Sequence, residues 1–147
     1  MQDGYFNFGM ALTTIPGLTP ACREVVILTV GHHYGSPYEM YSHSRMAIMF
    51  GLSKEQVQDL QDGKKPRDCK DDEDVAWEIT DALIVTHKKG SKAISPEIWE
   101  KAERVLGKEG CAAVIHFTAF YAYTCILLNG AAVPLPKGET VSSFTQM

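Results

Sequence analysis

The stretch ACREVVILTVGHHYGSPYEMYSHSRMAIMFG, Ala21 to Gly51, decides the fold. Its first half is almost continuously apolar from Val25 to Val30, a pattern that suits a buried strand as well as a buried helix. The length of the run and the Thr19-Pro20 entry, with proline at a first helical position, select the helix. The second half opens on Ser36, Pro37 and Glu39 and stops at Gly51. A serine cap, a proline at the first turn and an acid three residues after the cap spell a capping box, and the glycine spells a helix end.

The same punctuation continues outward. In LSKEQVQDLQDG, Ser53 and Gln56 form a second capping box and Gly63 ends a short helix. The polar stretch DGKKPRDCKDDED, Asp62 to Asp74, is an exposed connection between two helical halves. DEDVAWEITDALIVTHKKG then starts acidic and ends on His87, Lys88 and Lys89, as the helix dipole prefers. SPEIWEKAERVLG is capped by Ser95 and Pro96 and closed by Gly107. The last helix, EGCAAVIHFTAFYAYTCILLNG, is apolar on every side, and its length suits a membrane span. His116, Thr118, Thr124 and the aromatic content point instead to a helix buried in the core or between subunits. His116 is expected there as a satisfied core or interface histidine. The pattern is all-α, one domain over residues 1–147, with a core over about 20–136, an N-terminal arm 1–19 carrying Tyr5, Phe6 and Phe8, and a tail 137–147.

Composition narrows the function classes. A chain of 147 residues with 45% hydrophobic content can bury one sizeable core. With net charge -4 and its 14 basic residues scattered, it offers no stripe for nucleic acid. MQDGYFNFGM has no basic region followed by an unbroken apolar run, so no signal peptide is read there and the expected address is the cytoplasm. Cys22, Cys69, Cys111 and Cys125, spaced 47, 42 and 14 apart, match neither a redox pair nor a zinc pattern. They are expected as reduced thiols, three of them buried.

The chemistry-bearing residues gather at the corner between the two opening helices. Glu39 and His43 are four apart and share a helical face, where they can exchange a proton or form a plain surface pair. Ser36 and Glu39 are fully explained by the capping box. Glu24 lies inside the apolar run, and a buried carboxylate needs a partner, which Arg23 or a neighbouring chain could also supply. Gly31, two turns on from Glu24, would let the next helix approach closely enough for His43 to meet it. His32 and His33 diverge by about 100°, so at most one faces that cavity. A metal held by Glu39, His43 and His32 is imaginable, but no established metal spacing is present.

The residues REVVILTVGHHYGSPYEMYSHSRMAIMFGLSKEQVQDLQDG, with DDEDVAWEITDALIVTH, SPEIWEKAERVLG and AFYAYTCILLNGAAVPLP in the same order, resemble the carboxymuconolactone decarboxylase and alkylhydroperoxidase D-like (AhpD-like) superfamily. The resemblance covers roughly Pro20 to Pro136. It implies an all-helical bundle assembled as trimers or hexamers, with a dimer as the smaller alternative. In the superfamily's peroxidase branch a glutamate lies twelve residues before the first cysteine of a C-x-x-C, and a histidine four after the second. Glu24 and His43 stand at those positions here, while Ser36 and Glu39 replace the cysteines. Serine and glutamate cannot cycle between thiol and disulfide. Some relatives serve aromatic catabolism and some natural-product pathways, where carbon dioxide loss, dehydration or double-bond migration needs a proton relay.

The expectation is therefore a cofactor- and metal-independent lyase or isomerase acting on a small carboxylated or enolisable molecule. His43 would move the proton, with Glu24 and Glu39 as its catalytic partners. Tyr38 or Tyr41 would hold a developing enolate oxygen, and Ser36 and His32 would complete the substrate-binding set. Two rivals stand beside it: a peroxide- or redox-handling protein with a bound metal, and an oligomeric binder without catalysis.

Overall fold

The computed structural model describes residues 2–89 and 94–147, with side chains over 3–85 and 94–147. Every regular element among the described residues is helical: α1 (Gln2–Thr13), α2 (Pro20–Tyr34), α3 (Pro37–Met49), α4 (Lys54–Gln61), α5 (Asp71–Lys89), α6 (Pro96–Gly130) and a terminal 3₁₀ helix (Val141–Gln146). The side chains of His87, Lys88 and Lys89, expected at the dipole end of α5, lie outside the described ones.

The unbroken apolar run becomes α2, the central helix of the bundle. It packs on α3, α4, α5 and α6, and from Ala21 to Gly31 only Arg23 escapes full burial. A helix surrounded on all sides has no need of a polar face, which is why its pattern carries no period. Its ends follow the sequence signals: the Thr19 hydroxyl accepts from the Cys22 amide at 3.2 Å, and Gly35 turns the chain at φ 57. One face of α2 (Cys22, Val26, Ile27) meets α5 and α6, and the other (Ala21, Val25, Leu28) meets α3 and α4.

The second capping box forms as expected, with Ser53 and Gln56 bonding each other's backbone at 2.8 and 3.1 Å. Gly107, at φ 68 and ψ 174, breaks α6 where the sequence places a helix end, so the long element is two helices meeting at a glycine. The apolar second part would cross a membrane on length and composition, and in this fold one face of it is buried against α2 and α5. Its outer face keeps Ile115, Tyr123, Ile126 and Leu127 exposed. His116 is exposed on that face too, so it is not a core histidine.

Both chain ends carry more structure than the sequence showed. The arm folds as α1, and Tyr5 stacks on Phe120 at 5.1 Å and hydrogen-bonds the Thr124 hydroxyl at 3.0 Å. The segment expected as a tail docks on α3 and α4. Glu139 pairs with Arg45 at 3.1 Å, Gln61 donates to the Val141 carbonyl at 3.0 Å, and Phe144 is 1% exposed. One phenylalanine in a polar stretch has no periodicity to announce it. Phe144→Ala should cost about 3 kcal/mol, the order expected when a buried aromatic is truncated. Denaturant unfolding measures this directly, and a loss no greater than that from Met49→Ala at the exposed end of α3 would return the segment to a tail.

Candidate functional site

Glu24 is 3% exposed, one turn into α2. What reaches it depends on how closely α3 can lie. At Gly31 a Cβ would sit 2.9 Å from the Met40 sulfur and 3.6 Å from Glu39 Cβ, so the absence of a side chain there sets the approach of the two helices. With α3 so close, the imidazole of His43 lies between two carboxylates. Its Nδ1 is 2.8 Å from Glu24 Oε2 and its Nε2 is 3.3 Å from Glu39 Oε2. A carboxylate only accepts, so Nδ1 carries the hydrogen and donates it to Glu24. The Nε2 contact is close enough for charge attraction but lacks hydrogen-bond geometry, leaving buried Glu39 Oε2 unpartnered.

These positions shift both titrations upward. Burial pulls the His43 pKa down, but the hydrogen bond it donates to Glu24 and the charges of Glu24 and Glu39 together outweigh it, and the net shift is up. Burial raises the Glu39 carboxyl, the His43 charge draws it back, and Glu24 raises it again. Each of the two groups thus holds a proton more firmly than its free counterpart, while Glu24 keeps its own bond to Nδ1.

The first capping box does not form. The Ser36 side chain makes no cap bond, and the Glu39 carboxylate turns one helical turn along to His43. A cationic ring is a stronger partner for a buried carboxylate than a backbone amide. Ser36 is fully buried with its hydroxyl unpartnered, near enough to Cys125 of α6 to affect its thiol, a neighbour that sequence spacing did not connect to the site. Burial first, then the Glu39 charge, push that thiol up to about 12 against the opposing effect of the Ser36 hydroxyl. Cys125 is therefore a protonated thiol at ordinary pH.

A cavity of about 250 Å³ opens beside the relay, walled by Arg23, Glu24, Ile27, His43, Phe117 and Tyr121 among others. Glu39 is not on its wall, so it acts through His43. The expected binding residues, Ser36 included, are off that wall as well. Tyr41 takes a hydrogen bond from Arg45 at 2.9 Å on the side of α3 that faces Glu139, and Tyr38 leans toward Tyr41 with ring centres 6.5 Å apart. His32 points into a separate small cleft of α2, α4 and α5, bonded through Nδ1 to the Gln61 carbonyl at 2.9 Å. The imagined set of Glu39, His43 and His32 is therefore not assembled around one point. The tyrosine at the site is Tyr121 of α6, edge-on to His43 at 5.2 Å. Burial and then the charges of Glu39 and Glu24 push its phenol upward, keeping it a donor. Arg23, weighed only as a partner for Glu24, joins the wall instead. Neither has a local motif, and only the packing of α6 on α2 brings Tyr121 in.

Residues 1–81 match the carboxymuconolactone decarboxylase family, more than half of the chain. The chain belongs to that family. Among curated proteins nothing matches it. Its fold is similar to the crystal structure of a protein of unknown function from Agrobacterium tumefaciens, a candidate antioxidant defence protein AhpD. The TM-score is 0.78 at 12% identity, over 91% of this chain and 89% of that one. The architecture is thus the AhpD-like helical fold, as the resemblance implied. The family includes both decarboxylases and AhpD-like peroxidases, so membership does not choose the reaction.

The raised His43 pKa has a measurable sign. A group whose folded pKa is raised adds stability that is full below its unfolded value of about 6.5 and is lost as pH rises through the folded value. In NMR titrations, His43 should titrate above that value in the wild type and drop in Glu24→Gln. The stability difference between the two proteins should shrink over the same pH window. A wild-type His43 titrating at or below about 6.5 would contradict this account.

Proposed function

We propose that this protein is a cytoplasmic, cofactor-independent lyase or isomerase that moves a proton on a small carboxylated or enolisable metabolite. The observation carrying this reading is the Glu24–His43–Glu39 relay at the wall of a cavity. In a decarboxylation, the substrate's own β-carbonyl would take up the electron pair as carbon dioxide leaves. Tyr121 would donate to the developing enolate oxygen, the role first expected of Tyr38 or Tyr41. His43 would then deliver its proton to carbon, with Glu24 orienting the ring and Glu39 holding the exchangeable proton. In a dehydration or isomerisation the same ring would remove a proton and return it to the leaving hydroxyl or a second carbon.

Peroxide handling is the family-level alternative, and Cys125, against Ser36, is the thiol that could serve it. Its burial favours the proton relay, because peroxide is attacked by a thiolate and not by a thiol.

Incubation with a panel of β-keto and unsaturated carboxylic acids, followed by mass spectrometry, tests the reading. Loss of carbon dioxide or water, or an isomer of unchanged mass, should fall about 10²- to 10⁴-fold in His43→Ala. Equal product from both proteins would remove His43 from the reaction. We also propose that copies of the chain associate through the exposed apolar face of α6, as a trimer or hexamer. Light scattering should find that assembly in the wild type and a monomer in Ile126→Glu, whereas a monomeric wild type would reject it.

A further inference from the structure

The cavity beside His43 does not end at the relay. Thr13, Phe117 and Tyr121 on its wall also wall a second cavity, of about 230 Å³, that runs beneath α1. Ligand sites commonly begin near ~300 Å³, so neither space is sufficient alone, whereas the adjoining pair is. The two have different chemistry. The space beneath α1 is bounded by Phe6, Met10, Leu12 and Phe120, and its one further hydroxyl, on Tyr5, is already bonded to Thr124 at 3.0 Å. The space beside the relay holds all the charge.

Part of that charge is unanswered. Arg23 is half-buried at the cavity wall, its guanidinium 5.8 Å from the centre of the Phe117 ring. One terminal nitrogen donates to the Ile15 carbonyl at a long 3.4 Å, and the buried Nε has no partner. Glu24, next in the chain, is committed to His43. Among the described residues, no carboxylate pairs with Arg23. A guanidinium with five donors in a fixed fork, partly withdrawn from water and lacking a counter-ion, is suited to an anion, and to a planar carboxylate above all.

We infer that the site takes an amphipathic carboxylate. Its anionic head sits on Arg23, its body lies in the apolar space beneath α1, and the carbon between them is held against His43. Arg23 is then the residue that sets substrate class, and α1 is part of the binding site. The reacting carbon rests on the proposed proton relay, whereas the two ends of the ligand rest only on the cavity walls.

Binding is therefore measured apart from turnover, by calorimetric titration at pH 8 with three probes: 2-naphthoate, its neutral isostere 2-naphthamide, and acetate. The wild type should bind 2-naphthoate at least ~10-fold more tightly than either of the others, the scale of one charge-assisted contact or of a buried ring. Arg23→Gln should bring 2-naphthoate down to the affinity of the amide, and Arg23→Lys should retain part of the difference. Thr13→Trp, filling the junction, should weaken 2-naphthoate and leave acetate unchanged. Because binding is read without turnover, loss of the reaction in His43→Ala bears on the proton relay and not on this assignment. Equal wild-type affinity for acid and amide, or undiminished binding by Arg23→Gln, overturns the role of Arg23. Acetate binding as tightly as 2-naphthoate, or no 2-naphthoate binding at all, overturns the apolar body site.

Discussion

The bond between Glu24 and His43 is the contact on which the arrangement of this protein turns. A carboxylate in the middle of a fully surrounded helix loses several kcal/mol of hydration, and only a charged or strongly polar partner can offset that loss. The partner comes from α3, whose His43 reaches Glu24 at 2.8 Å. For α3 to come near enough, one position on α2 must lack a side chain, and Gly31 is that position. Burial of α2, the glycine and the 2.8 Å bond are thus parts of one requirement. Removing either partner would strand the other in the core.

That requirement also shapes the electrostatics. Two carboxylates and one imidazole in a poorly hydrated corner retain a proton that an exposed trio would release near neutrality. The same negative charge, added to burial, keeps Tyr121 and Cys125 protonated. The corner can therefore give and take protons and offer a hydroxyl, while the thiol beside it stays unreactive. Arg23 lies on the opposite side of this balance, a cation left without a protein anion at the mouth of the same space. Substrate charge would complete what the chain leaves incomplete.

The periphery holds this corner in place. The segment after Gly138 returns across α3 and α4, and its Phe144 fills the cluster behind Met40 and Ala47. On the other side α1 closes over α6 through Tyr5 and Leu12, forming the apolar half of the cavity. The family match begins at residue 1, so this helix lies within the matched region. Ion pairs from Lys65 and Lys101 to Asp74 and Glu78 tie the polar connection to α5 and α6, and a fork from Arg67 holds Asp59, whose carboxyl falls to about 2, its hydrogen bonds to Arg67 outweighing the upward pull of burial.

Local signals were enough for the helices and for one side of the site. Serine, proline and glycine mark helix ends because caps and turns are decided within a few residues, and they placed α2 to α5 and the break at Gly107 correctly. Glu24 and His43 could be paired from sequence because a buried charge demands a partner and Gly31 offered the approach. Where two partners compete for one side chain, local spacing is silent: Glu39 fits a capping box, yet a histidine one turn away draws it, and the Ser36 hydroxyl is left without a cap bond. Tyr38, Tyr41 and His32 lie near His43 in the chain but on other helical faces, whereas Tyr121 and Cys125, some eighty residues further on, arrive through the packing of α6. The pairing of Glu24 with His43 was written in the order of residues because it joins adjacent helices. The rest of the site was decided by which face each helix turned inward, and that depends on the whole core.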